Sequence, residues 1–240
     1  MSEQRDIHIS GSGVISGGRY GTVRISGSGK CTEALEAESV HVSGSGHFQN
    51  VSADDIHISG SASFDGQVIT KQLRVSGSVQ LSQLTESNEM HVSGSIQASS
   101  ALRGVNGHVS GSIRADEGAE FEEMQISGSA HVSGLLNVER LTIKLNGHSE
   151  IDEIGGNDIL VFPSNEIQGG ILRFLFGSVN PRKLTCKSIE GTNVNVENTN
   201  CEMIRANTVR IGPGCQIGAV EYTDSIEIDE SSKVITQKRV

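Results

Sequence analysis

The residues of this chain that could do chemistry are its histidines, cysteines and serines, and their spacing decides what chemistry that would be. Histidines stand at positions 8, 41, 57, 91 and 108, with Arg24, Arg74 and Gln125 at the equivalent places between and after them. His41 and His57 are 16 residues apart, and His91 and His108 are 17 apart. Pairs spaced like this would suit a metal ladder or a pH sensor on a shared face. No clustered carboxylates support a metal site, so the column reads as a solvated strand face. The serines come as Ser-Gly-Ser triplets. Catalysis needs one serine made different by a base and an oxyanion hole, and serines repeated identically are corner residues. Cys186, Cys201 and Cys215 are 15 and 14 residues apart, which suggests an inner column of buried reduced thiols, and Cys31 reads as a separate core thiol. No Gly-x4-Gly-Lys-Ser/Thr phosphate cradle and no Gly-Gly-x-Gly-x-Asp calcium turn is present.

The element that positions these residues is a six-residue phrase, apolar–x–Ile/Val–Ser–Gly–Ser, first seen as Ile7-His8-Ile9-Ser10-Gly11-Ser12. It begins again at Val23, Val40, Ile56, Leu73, Met90, Gly107 and Met124, with a degraded copy at Leu141, at intervals of 16, 17, 16 and then 17. A fixed short period is the mark of stacked repeats, and this one is too short for paired helices. Apolar first and third positions around a polar second are the alternation of a strand with one buried face.

Aligned copies place Gly13, Gly29, Gly46, Ala62 and Val79 in a seventh column, and Ile15, Cys31, Phe48, Phe64 and Leu81 in a ninth. Gly18, Ala34, Val51, Gln67 and Leu84 fall in a twelfth. Three inward faces and three corners per copy describe one coil of an all-β parallel β-helix (β-solenoid), with three short strands in each 16–17-residue coil. Ser-Gly-Ser makes a corner through glycine's backbone freedom. Eight coils at roughly 4.8 Å span about 38 Å.

Hydrophobic content of 35%, aromatic content of 3% and 29 glycines would be poor for a thick globular core, but a solenoid core is only a few side chains wide. A net charge of −10 argues against nucleic acid and against binding an anionic membrane. Residues 1–6 contain no apolar signal region, and no run approaches the ~20 apolar residues of a spanning helix. Cysteines without a Cys-x-x-Cys pair suit a reducing compartment, so the cytoplasm is expected.

In chain order, the pattern reads as a short tail (1–6), a regular Ser-Gly-Ser solenoid (7–140), irregular apolar changeover coils (141–183), further short-strand coils (184–234) and a tail (235–240). The run 171–176 would present Leu172, Phe174 and Phe176 outward as an apolar patch, or Ile171, Arg173 and Leu175 if the faces are reversed. At the uncapped ends, Ile7 and Ile9 on one side and Ile226 and Ile228 on the other are the residues expected to be buried by assembly, alongside Phe174 and Phe176.

The segment Val209-Arg210-Ile211-Gly212-Pro213-Gly214-Cys215-Gln216-Ile217, followed by Val220-Glu221-Tyr222 and Ile226-Glu227-Ile228-Asp229, resembles the carboxyl half of a bactofilin-like group found in spore-forming bacteria. Bactofilins are bacterial polymer-forming cytoskeletal proteins, and the short glycine-rich strand repeats resemble theirs along most of the chain. The resemblance implies a right-handed β-helix that self-assembles without nucleotide or cofactor. It implies partners that are copies of itself or other bactofilin-like proteins, and a scaffold role in cell shape, division or motility. The chain departs from the family in being nearly all repeat and in lacking an evident amino-terminal membrane-targeting peptide. Peripheral association with the inner face of the membrane is therefore an open expectation. Ile211-Gly212-x4-Ile217-Gly218 also matches the hexapeptide rhythm of β-helix acyltransferases, but those enzymes repeat it many times. The expectation is a non-catalytic scaffold, with such an acyltransferase or a non-polymerising adaptor as alternatives.

Overall fold

In the computed structural model, residues 5–164 and 182–240 are described, and every element among them is a β-strand. The chain falls into two compact units, Met1–Glu122 and Glu123–Val240, each a parallel β-solenoid.

The phrase sets the first unit. After each corner the second serine opens a four-residue strand, as in Ser28–Cys31, Ser45–Phe48 and Ser61–Phe64, and an eight-residue strand follows, as in Leu35–Val42, Val51–Ile58 and Val68–Val75. The eight-residue strand covers two sides of the coil. Its pairing passes from Ala37 directly to Ser39, and from Ala53 to Asp55, so the ladder bends there. Three sides are thus carried by two strands. Each strand pairs in parallel with its equivalents one coil away: Val40 opposes Ile56, and Ile56 opposes Leu73.

The apolar positions form continuous inward columns. Val23, Val40, Ile56, Leu73 and Met90 are fully buried, and Phe48 stacks on Phe64 with ring centroids 5.1 Å apart. The third inward column is one residue later than the alignment puts it in most coils. Leu35, Val68 and Leu102 are buried, whereas Ala34 and Gln67 are exposed. The 16-residue intervals shift the frame, which is why Gln67 looks like an exception when Val68 is the core residue. Beyond this column, Thr70 and Ser87 are buried as well, and their hydroxyls donate to the carbonyls of Gln72 (3.0 Å) and Glu89 (2.7 Å), so burial leaves them satisfied.

The corner glycines serve a different purpose from the one expected. None of them has a positive φ; among the described residues, positive values occur at Gly18, Gly118, Gly134, Gly214 and Asn198. The corners instead stack backbone on backbone. Ser43 N donates to Ile25 O and Ser45 N to Gly27 O, each at 2.8 Å. A Cβ at Gly44 would lie 2.0 Å from Gly27 O, and Gly60, Gly77, Gly94 and Gly111 are equally crowded. Glycine is required because the next corner leaves no room for a side chain.

In the second unit five strands are longer, Ser129–Leu145, His148–Pro163, Lys183–Val196, Thr199–Ile211 and Gln216–Ile228, and a seven-residue strand, Lys233–Arg239, follows them. Each pairs in parallel with the next. The ladder runs through residue 141, with Leu141 opposite Ile159. Asp158 then pairs with Asn193, 35 residues on, so the coil before the undescribed segment stacks directly on the coil after it. The inward column Ile189, Ile204, Val220 ends in the polar Gln237.

Candidate functional site

The basic column forms as the phrase requires. Strand pairing sets His8 beside Arg24, then His41, His57, Arg74, His91 and His108 on successive coils. Ring centroids are 6.0 Å apart in both His41–His57 and His91–His108. Burial pushes the His41 imidazole below its ordinary value. Asp55 opposes that shift, while Arg24, His57 and Arg74 reinforce it. Asp55 and Glu89 stand two residues before His57 and His91, but both are engaged: Arg74 binds Asp55 at 2.8 Å and Asn106 binds Glu89 at 2.7 Å. Among the described residues, no group of three His, Cys, Asp or Glu side chains is placed to hold a metal ion.

A different constellation escapes a reading in which all serines are equivalent. Ser63 Oγ lies 2.8 Å from His47 Nδ1, and Asp65 Oδ2 lies 3.3 Å from His47 Nε2. His47 and Ser63 are neighbours on adjacent coils, and Asp65 follows Ser63 by two residues on the same outward side. They sit beside a trough of about 770 Å³ floored by Gly29, Gly46 and Ala62. The residue types are those of a nucleophile, a base and an orienting carboxylate. The outward column that holds His47 and Ser63 runs Lys30, His47, Ser63, Gln80, Gln97, Arg114 and so varies, unlike the corner serines, but nothing in that variation marks the pair. An oxyanion site is what the arrangement lacks. Ser61–Phe64 is paired on both sides, and the N–H groups of Ser61 and Asp65 are committed to Gly44 O and Phe48 O. Backbone donors that would stabilise a developing oxyanion are spent in the ladder. The trio is a surface hydrogen-bond network spanning two coils.

All four cysteines are buried free thiols. Cys186 and Cys201 are direct partners on adjacent coils, and hydrogen bonding between the thiols, with burial, raises Cys186 above its ordinary value. Cys215 does not continue that column. Its neighbour Gln216 pairs with Asn200, which puts Cys215 at the level of Thr199, while Ile217 follows Cys201. The Pro213–Gly214 turn, with Gly214 at φ 77°, lengthens that coil and displaces the thiol. Burial raises Cys215 and Cys31.

Of the residues expected to serve assembly, Ile7 and Ile9 are half-buried on a strand that pairs with Val23 and Ile25 and with no other described strand. Ile226 is half-buried and Ile228 is 39% exposed. Phe174 and Phe176, with the rest of the 171–176 run, lie outside the described residues. Among the described residues no helix is long and apolar enough to cross a membrane.

No family model matches the chain, and no solved structure matches it. Two relatives from Bacillus subtilis (strain 168) are similar to it. The uncharacterized protein YhbE is 37% identical over 110 residues, covering 45% of this chain and 44% of YhbE. The uncharacterized protein YhbF is 37% identical over 102 residues, covering 42% and 40%. The match spans less than half the length of either relative.

Proposed function

We propose that the protein is a non-catalytic scaffold that assembles into polymers by joining solenoid edges, without nucleotide. One observation carries this reading. The strands Ile7–Ile9 and Lys233–Arg239 each pair on one side only among the described residues. Such an edge is a row of unsatisfied N–H and C=O groups, and pairing it with another edge satisfies them. Coil-on-coil addition would also cover Ile7 and Ile9 at one edge and Ile226 and Ile228 at the other. Lys233, Lys238 and Arg239 blunt the last strand against indiscriminate pairing.

The bactofilin-like segment supports the same reading, as does the lack of a phosphate cradle that could make assembly nucleotide-dependent. A role in cell shape, division or motility, with copies of the chain or other bactofilin-like proteins as partners, is part of this proposal, as is a cytoplasmic location. Light scattering of the purified protein tests it. Large assemblies should form equally with and without ATP or GTP. A stable monomer at all concentrations, or assembly only with nucleotide, would defeat it.

A further inference from the structure

The outward faces of the first unit treat their cations differently. Arg19 pairs with Glu36, Lys71 with Asp54, Arg103 with Glu120 and Arg114 with Asp116. In the basic column, only Arg74 among the described residues has such a partner, Asp55, and even its Nε is buried without one. His8, Arg24, His41, His57, His91 and His108 stand on seven consecutive coils with Arg74 and no acidic residue interrupts them. At ~4.8 Å per coil this is a line of basic groups roughly 29 Å long.

A second column lies two residues further along the chain, in the corner just past the end of each strand. These are the first serines of the corners, from Ser10 to Ser110, all exposed. Their hydroxyls have no hydrogen-bond partner among the described residues, because the corner backbone bonds only to itself. On the other side of the column stand Asp6, Asp55 and Glu89, occupied respectively by Thr22 N–H, Arg74 and Asn106. Beyond them, at the bend, are Glu38, Asp54 and Lys71. The surface therefore offers a basic line, ion-paired among the described residues only at Arg74, and next to it a line of unengaged corner hydroxyls.

We propose that this face binds a linear phosphate polymer laid along the coil axis, each coil offering one histidine or arginine and one serine to the phosphoryl oxygens. A charged donor and a neutral donor side by side match a phosphoryl group's several acceptors. The line is one residue wide and bordered by carboxylates, which fits a single chain and not a flat anionic membrane. It presents no Phe, Tyr or Trp for base stacking, which sets it apart from single-strand nucleic-acid grooves. At neutral pH the permanent charges are Arg24 and Arg74. Each imidazole that takes up a proton adds a further charge to the line, so acid strengthens binding.

The test is fluorescence anisotropy of end-labelled inorganic polyphosphate with the intact protein at pH 7.5 and 5.5. Binding should be at least about tenfold tighter at the lower pH, with a steeper dependence on salt. Replacing His41, His57, His91 and His108 with Gln should remove most of that gain, and Arg24→Gln should weaken binding at both pH values. Arg19→Gln with Arg103→Gln, which discharges paired cations on another face, should leave binding unchanged. Should the fourfold histidine variant fail to fold by circular dichroism, Ser43→Ala with Ser59→Ala and Ser76→Ala replaces it. Those changes keep the charge and should weaken binding several-fold. Polyphosphate binding that ignores pH, that is lost equally in the Arg19/Arg103 variant, or that is matched by vesicles containing phosphatidylglycerol would overturn the proposal. So would serine replacements without effect.

Discussion

Alanine at a corner glycine is the sharpest perturbation the stacked corners offer, because two chemically identical substitutions should behave in opposite ways. At Gly44 a Cβ would lie 2.0 Å from Gly27 O and 2.5 Å from Ser26 O, where contact distance is more than an ångström longer. These atoms are backbone held by hydrogen bonds such as Ser45 N to Gly27 O, so no flexible side chain can yield. Overpacking of this kind costs about 1–3 kcal/mol. A strained or lost corner hydrogen bond adds about 1 kcal/mol. The loss of unfolded-chain entropy on replacing glycine returns only about 0.4–1 kcal/mol. Gly44→Ala should therefore destabilise by about 1–3.5 kcal/mol. At Gly11 nothing lies within 4 Å of the added Cβ, and its φ is not positive, so Gly11→Ala should be neutral or gain about 0.5 kcal/mol. Urea unfolding followed by circular dichroism would read both midpoints. Equal shifts for the two variants would refute the argument that stacking, and not backbone angle, demands glycine.

Other expectations follow from the same geometry. Deleting residues 73–89 removes one coil between in-register strands and should leave a shorter folded solenoid; deleting 73–80 alone turns downstream core columns outward and should abolish folding. Because the folded state holds the His41 imidazole below its unfolded value, it binds fewer protons than the unfolded chain. Its contribution is then complete above about pH 6.5 and is lost as pH falls below that, so His41→Gln should flatten the decline in stability between pH 7 and 5. A nitrophenyl ester should be hydrolysed no faster with the protein than with Ser63→Ala; a clear rate lost in that variant would make the Ser63–His47–Asp65 network catalytic. The four buried thiols should react with a thiol reagent only on unfolding. Rapid labelling of the native protein would show that a cysteine is reachable.

The repeat phrase made the coil and its register legible. Its second position alone places His41 against His57 and Arg74 against His91, as the strand pairing has them. What it could not carry was information fixed between coils. Glycine in Ser-Gly-Ser signals a corner, but only the stacked corners reveal that the neighbouring carbonyl excludes a Cβ. The third core column was displaced by one residue, since intervals of 16 and 17 look alike in an alignment until Val68, not Gln67, is seen to be buried. Cys215 was misplaced for a related reason: spacings of 15 and 14 resemble one coil each, but the Pro213–Gly214 turn consumes residues without advancing the inward column. The Ser63–His47–Asp65 network depends on side-chain reach across a rung, which composition and period do not encode.

Negative-stain electron microscopy of the nucleotide-free protein, wild type beside Ile9→Pro, tests the scaffold most directly. Ser26 N donates to Ile9 O, so the Ile9 N–H faces the second coil too. Proline there removes that rung and loosens the terminal strand an incoming copy would pair with, while coils beyond Val23–Ile25 keep their ladders. The account predicts filaments for the wild type and short, discrete particles for a folded Ile9→Pro variant. Wild-type protein without filaments, or filaments undiminished in Ile9→Pro yet dissolved by Phe174→Ser, would contradict growth through the solenoid edge.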